Sequence, residues 1–135
     1  MPCSVVTTQT KFCLTRRTTP KDSFTGDHDL KLAQRVFEKV NTRIYEALND
    51  AGVFLEGTIL KCSMVTKGKA CATQATPAEV GQATREGLAR TVPVSVPGIF
   101  FLSGGLSELE STENLNAVVK AEVKDGGAGE KVDFG

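Results

Sequence analysis

The sequence predicts an α/β fold built on a parallel sheet, and three observations carry that reading. Segments of helical and strand periodicity alternate in the order helix, strand, helix, strand, helix, the order that βα units produce. The run Ile99-Phe100-Phe101-Leu102 is apolar at every position, as expected of a strand buried on both faces of a parallel sheet. About forty residues separate the two strand segments, ample for the crossover that parallel pairing requires.

The chain of 135 residues has the size of one domain. Its composition, 40% hydrophobic and 24% charged, is that of a globular protein. Sixteen basic and sixteen acidic residues cancel, which argues against a nucleic-acid partner, since such domains carry a basic excess. The longest purely apolar run is the four residues Ile99 to Leu102, against about 20 for a membrane span. The single histidine, His28, excludes a His-rich zinc site. The four cysteines, Cys3, Cys13, Cys62 and Cys71, show no C-x-x-C spacing and read as reduced intracellular thiols. A cytoplasmic location is expected, with a plastid the alternative.

Residues 1–25 read as a divergent or disordered lead segment. Residues 1–21 hold no acid, four bases and many Ser and Thr, a composition shared with transit peptides, but no amphipathic helical period runs through them. Only Cys13-Leu14 offers a short strand there. From Asp27 the pattern changes. Leu30, Ala33, Val36, Phe37, Val40, Ile44, Ala47 and Leu48 recur at three-four spacing and make one face of a long helix. Asp27 or Asp29 caps its start, and Gly52 ends it. Val53-Phe54-Leu55 and Thr58-Ile59-Leu60 read as one buried strand interrupted at Glu56-Gly57, and residues 62–75 as a loop. Thr76-Pro77-Ala78-Glu79 is a capping box with proline at the first helical position. It opens a helix with Val80, Ala83, Leu88 and Thr91 on its apolar stripe, stopped by Pro93. Ser107 to Glu110 is a second capping box, opening a helix through Leu109, Leu115 and Ala117. The polar, Gly-rich stretch 121–135 reads as a disordered tail.

In parallel α/β folds function gathers at the C-terminal ends of the strands. Two such ends are visible. Lys61 follows Thr58-Ile59-Leu60. It is either a solvated surface charge or, if Leu55, Ile59, Leu60 and Met64 surround it, a desolvated amine able to attack a carbonyl. Ser103-Gly104-Gly105 follows the second strand and precedes a capped helix. It is either an ordinary βα loop or an anion site made of backbone N–H groups and a serine hydroxyl. It is not a P-loop, which needs G-x-x-x-x-G-K-[ST]. His28 reads as a surface or capping residue, and Cys62 as a small buried hydrophobe.

The strings Leu55-Glu56-Gly57-Thr58-Ile59-Leu60-Lys61-x-Ser63-Met64-Val65-Thr66, Arg90-Thr91-Val92-Pro93, Val96-Pro97-Gly98, Phe101-Leu102-Ser103-Gly104-Gly105-x-Ser107-Glu108 and Asn114-Leu115-Asn116, together with Gly26-Asp27-His28-Asp29-Leu30, are distinctive. In this order and register, over residues 26–118, the chain resembles class I fructose-1,6-bisphosphate aldolase. The resemblance implies a (β/α)8 (TIM) barrel and reversible cleavage of fructose 1,6-bisphosphate to dihydroxyacetone phosphate and glyceraldehyde 3-phosphate in glycolysis. It implies a Schiff base on Lys61, phosphate binding at Ser103, Gly104 and Gly105, no metal or other cofactor, and a homotetramer when complete.

The departures from the family set further expectations. A (β/α)8 barrel takes about 250 residues, so residues 26–120 read as a partial barrel carrying the sixth and seventh strands. The Glu-Pro-Glu motif expected on the fifth strand falls on Thr19-Pro20-Lys21, and the proline expected after the lysine is Cys62. The chain alone is therefore expected to be inactive, with a non-catalytic relic that binds phosphate or an intact aldolase subunit as the alternative.

Overall fold

A computed structural model describes residues 4–8, as backbone, and residues 26–73 and 75–122. Three parallel strands are layered under three helices. They run in the order β1 (Ser4–Thr8), α1 (Leu30–Asp50), β2 (Thr58–Ser63), α2 (Pro77–Thr91), β3 (Ile99–Leu102) and α3 (Glu108–Lys120). The expected α/β alternation and parallel sheet are both present.

The helices start where their caps dictate. Asp29 Oδ1 accepts the Leu32 N–H at 2.7 Å and opens α1. Thr76 and Ser107 form complete capping boxes with Glu79 and Glu110 at the starts of α2 and α3. At the end of α1, Gly52 takes φ 65°, and the Val53 N–H closes onto the Leu48 carbonyl at 3.0 Å. The segment after it differs from expectation. Leu55–Gly57 is a turn of 3₁₀ helix and the strand begins only at Thr58, so Val53 and Phe54 are not strand. The turn buries Leu55 and leaves Phe54 64% exposed, a division that a continuous strand would not make. The strand also runs on to Ser63, into the stretch expected to be a loop.

Sheet order is β1-β2-β3. Val5 pairs with Ile59 and Thr7 with Lys61, while Lys61 pairs with Phe100 and Ser63 with Leu102. The first of these strands corrects the sequence reading, which placed no element at Ser4–Thr8. Cys13-Leu14, Thr19-Pro20-Lys21 and the Gly-rich tail lie outside the described residues.

All three helices lie on one side of the sheet. There Leu60, Cys62 and Leu88 form a fully buried cluster, with Phe37, Val92, Val96, Ile99 and Phe101 around it. A second cluster of Met64, Val80 and Val118 seats α2 and α3 beyond the strand ends. Between them the Thr84 hydroxyl accepts the Val65 N–H at 2.9 Å, tying the chain leaving β2 to α2.

No described residue covers the other side of the sheet, and this corrects the expectation for β3. Its side chains alternate, and Phe100 is 59% exposed while Phe101 packs in the core. The same one-sided layering narrows the helical stripes. Val36 of α1 and Leu109 and Leu115 of α3 are exposed, whereas Asn41, Tyr45, Asn114 and Val118 are buried. Three-four spacing finds an apolar face but does not say how much of that face a neighbour covers.

Candidate functional site

Lys61 sits fourth of six residues on the central strand β2 and is exposed. Strand side chains alternate between faces, so Leu60 and Cys62 enter the core while Lys61 stands on the face the helices leave open. The apolar residues expected around it are therefore elsewhere. Leu60 and Met64 belong to the helix-side clusters, Leu55 is buried in the preceding turn, and only Ile59 shares the lysine's face. The sequence neighbours of Lys61 do not make a pocket around it.

Ser103, Gly104 and Gly105 form the turn out of β3. Gly104 has φ 59° and Gly105 φ 92°, backbone conformations that side chains rarely adopt. A Cβ on Gly105 would meet nothing within 4 Å, so the turn requires glycine there for its dihedral and not for space. The Leu106 N–H closes the turn onto the Ser103 carbonyl at 3.1 Å. Helix α3 starts at once. Its capping box consumes two donors: the Ser107 N–H goes to Glu110 Oε2 at 2.9 Å, and the Glu110 N–H to Ser107 Oγ at 3.3 Å. The Gly104 and Gly105 amides take part in none of these bonds. The Glu110 carboxyl is held below the usual carboxylate range, first by the Ser107 N–H, then by the Ser107 hydroxyl, with a smaller pull from the Lys69 ammonium.

The register orders the two sequence motifs along adjacent strands of one sheet, Lys61 within β2 and Ser103 beyond the end of β3. Lys61 pairs with Phe100, and Ser103 lies three residues further along the same line. At about 3.3 Å per residue, that sets the serine about 10 Å beyond the lysine's level, toward the C-terminal ends of both strands. An amine and a turn of amide and hydroxyl donors so arranged can bind a carbonyl compound that carries an anionic group. Two surface clefts, of about 550 and 600 Å³, lie on the flanks of the helices. One is lined by Pro77, Gln82, Ala117 and Lys120 and the other by Tyr45, Arg43 and Arg90. Neither is lined by Lys61 or by the glycine turn.

Among the described residues no group of three or more His, Cys, Asp or Glu side chains could hold a metal ion, and no helix is long and apolar enough to cross a membrane. Cys62 is a core residue with its thiol pushed up to about 12 by burial, in line with its reading as a small hydrophobe. Sequence reasoning missed two features of the site: strand β1, and the placing of Phe100 beside Lys61. The β-branched run Val5-Val6-Thr7-Thr8 was a signal for the first. The second needed the register.

Comparison with known proteins agrees with this geometry. The family model for fructose-bisphosphate aldolase class-I matches residues 18–126. Human fructose-bisphosphate aldolase B is 58% identical over 93 residues, covering 69% of this chain and 26% of the relative. Fructose-bisphosphate aldolase of Echinococcus multilocularis is 56% identical over 95 residues, covering 70% and 26%. Among solved structures, fructose-bisphosphate aldolase of Plasmodium falciparum, in a ternary complex with TRAP and a small-molecule inhibitor, superposes with a TM-score of 0.68. It is 44% identical, over 70% of this chain and 27% of that one. The chain thus spans about a quarter of the length of the curated relatives it matches.

Proposed function

The chain belongs to the class-I fructose-bisphosphate aldolase family, and from that premise we propose that Lys61 is its imine-forming lysine and Ser103, Gly104 and Gly105 its phosphate-binding turn. The observation that carries this is the β2–β3 register, which puts Lys61 in the C-terminal half of β2 and the Ser103 turn just past the end of the adjacent parallel strand β3, the end of the sheet at which barrel enzymes hold their sites.

The reaction is the reversible cleavage of fructose 1,6-bisphosphate by a lyase. The Lys61 amine adds to the substrate ketone and water leaves, forming a protonated imine. As a base takes the C4 hydroxyl proton, the C3–C4 bond breaks, its electron pair passes into the imine to leave an enamine, and glyceraldehyde 3-phosphate departs. Protonation of the enamine at C3 restores an imine, whose hydrolysis releases dihydroxyacetone phosphate and the Lys61 amine. Because the imine is itself the electron sink, the reading calls for no metal ion or cofactor. The turn's role is to hold a phosphate at a fixed distance from the amine, through amides pre-set by the positive φ of two glycines. In the same reading β2 and β3 are the sixth and seventh strands of a (β/α)8 barrel. Their direct parallel pairing across α2 supports this. The whole protein is then a cytoplasmic enzyme of glycolysis, assembled as a homotetramer.

Incubation of the chain with dihydroxyacetone phosphate, followed by borohydride, tests the assignment. Hydride reduces the imine to a stable secondary amine, and peptide mass spectrometry locates it. The label is expected on Lys61 and is lost in Lys61→Arg. Label on Lys67 or Lys69, or none on Lys61, overturns the reading.

A further inference from the structure

We propose that Phe100 is a positioning residue for Lys61: its ring stands beside the lysine stem on the open face of the sheet, walls off the β3 side, and directs the amine toward the C-terminal end. The inference rests on the role proposed for Lys61. Lys61 and Phe100 are direct register partners on adjacent parallel strands, so their Cα atoms are about 4.8 Å apart and their side chains rise from the same face. Burial agrees: Leu60 and Cys62 on β2 and Ile99 and Phe101 on β3 face the helices, while Lys61 and Phe100 are both exposed. A phenylalanine 59% exposed loses apolar contact with water by packing along the nearest methylene chain, and a lysine stem offers one. A ring face also attracts an ammonium that lies within about 6 Å of it. On the far side of Lys61 the register partner is Thr7. Phe100 is thus the aromatic residue among the lysine's two register partners, and it lies on the strand that leads directly into Ser103.

The test uses two readouts on the full chain, residue by residue. The first is the modification rate of each lysine with formaldehyde and cyanoborohydride, which needs no substrate. The second is borohydride trapping of dihydroxyacetone phosphate on Lys61. In Phe100→Ala, Lys61 is expected to react with formaldehyde roughly two- to fivefold faster, the scale of an exposed cation–ring contact, with Lys69 and Lys120 unchanged. Trapping of dihydroxyacetone phosphate on Lys61 is expected to fall by a similar factor. Loss of a merely structural contact would move all the lysines together and would not send the two readouts in opposite directions. Phe100→Tyr keeps the ring and is expected to match the wild type in both. An unchanged Lys61 rate in Phe100→Ala overturns the inference, as does a Phe100→Tyr chain that behaves like the alanine variant. A wild-type chain whose Lys61 never traps dihydroxyacetone phosphate overturns the proposed function itself, while the formaldehyde series still decides whether Phe100 shields the amine.

Discussion

Lys61 and Cys62 are neighbours in sequence and opposites in environment. One turn of the strand's pleat sends the amine to the open face and the thiol into the core beside Leu60 and Leu88. Burial favours the neutral thiol and pushes its pKa from 9.0 up to about 12. The Tyr45 hydroxyl is pushed up to about 12 as well, by burial first and by the nearby Cys62 second. Both groups are acids whose folded pKa exceeds the unfolded value. Their contribution is complete below pH 9, and stability falls as the unfolded state ionises between pH 9 and 12. For Cys62 the loss reaches roughly 4 kcal/mol at the top of that window. The melting temperature is expected to fall across pH 9–12, and less steeply in Cys62→Ala once that variant's lower starting stability is allowed for. Equal slopes in the two chains would show that the thiol is not the source. At pH 8 a thiol reagent is expected to modify half-buried Cys71 well before Cys62.

At the scale of elements, helix packing depends on two small residues that spacing rules treat as weak points. Glycine inside a helix costs about 1 kcal/mol against alanine by propensity. Gly81 nevertheless sits in the middle of the α2–α3 contact, where a Cβ would come within 2.6 Å of the Ala117 carbonyl carbon. Backbone cannot yield as a side-chain tip does. Gly87 does the same toward α1, with the Phe37 ring at 2.9 Å. Gly81→Ala is therefore expected to destabilise the chain by about 1–3 kcal/mol despite its better propensity, measured by urea unfolding. A stabilised variant would show that α3 does not pack as closely on α2. Between α1 and α2, Arg90 donates to Glu38 at 2.9 Å, and Gln34 Nε2 donates to Glu38 and, across the two helices, to Glu86. Such exposed pairs contribute little to stability.

For the whole molecule, what matters is that the described residues cover the sheet on one side only. Lys61 stands on the uncovered side, so nothing among the described residues excludes water from the place where the imine would form. Imine formation and proton transfer are also separate tasks, and general acid/base groups contribute about 10²–10⁴-fold. If the resemblance is extended upstream without gaps, Thr19 and Lys21 fall where the family's Glu-Pro-Glu motif is expected. Residues 1–135 are therefore expected to form the imine without measurable cleavage of fructose 1,6-bisphosphate, in a coupled assay for dihydroxyacetone phosphate. Cleavage at a rate abolished by Lys61→Ala would show that a carboxylate elsewhere in the chain moves the proton.

The sequence by itself determined the three helices, strand β3, the Thr58-Ile59-Leu60 part of β2, and the two motifs that follow these runs. These are local or short-period signals. Capping boxes at Thr76 and Ser107, Pro77 at a first helical turn, and a glycine pair after an apolar strand each act within a few residues. The family followed from strings whose order needs no structure. Tertiary structure decided three things: that Ser4–Thr8 pairs beside β2, that no described residue covers one face of the sheet, and that Phe100 is the register partner of Lys61. All three depend on residues far apart in the chain, brought together by backbone hydrogen bonds between strands. An apolar strand reads the same whether helices cover one of its faces or both. Pairing register fixes which side chain stands beside the lysine, and no local pattern around Lys61 encodes it.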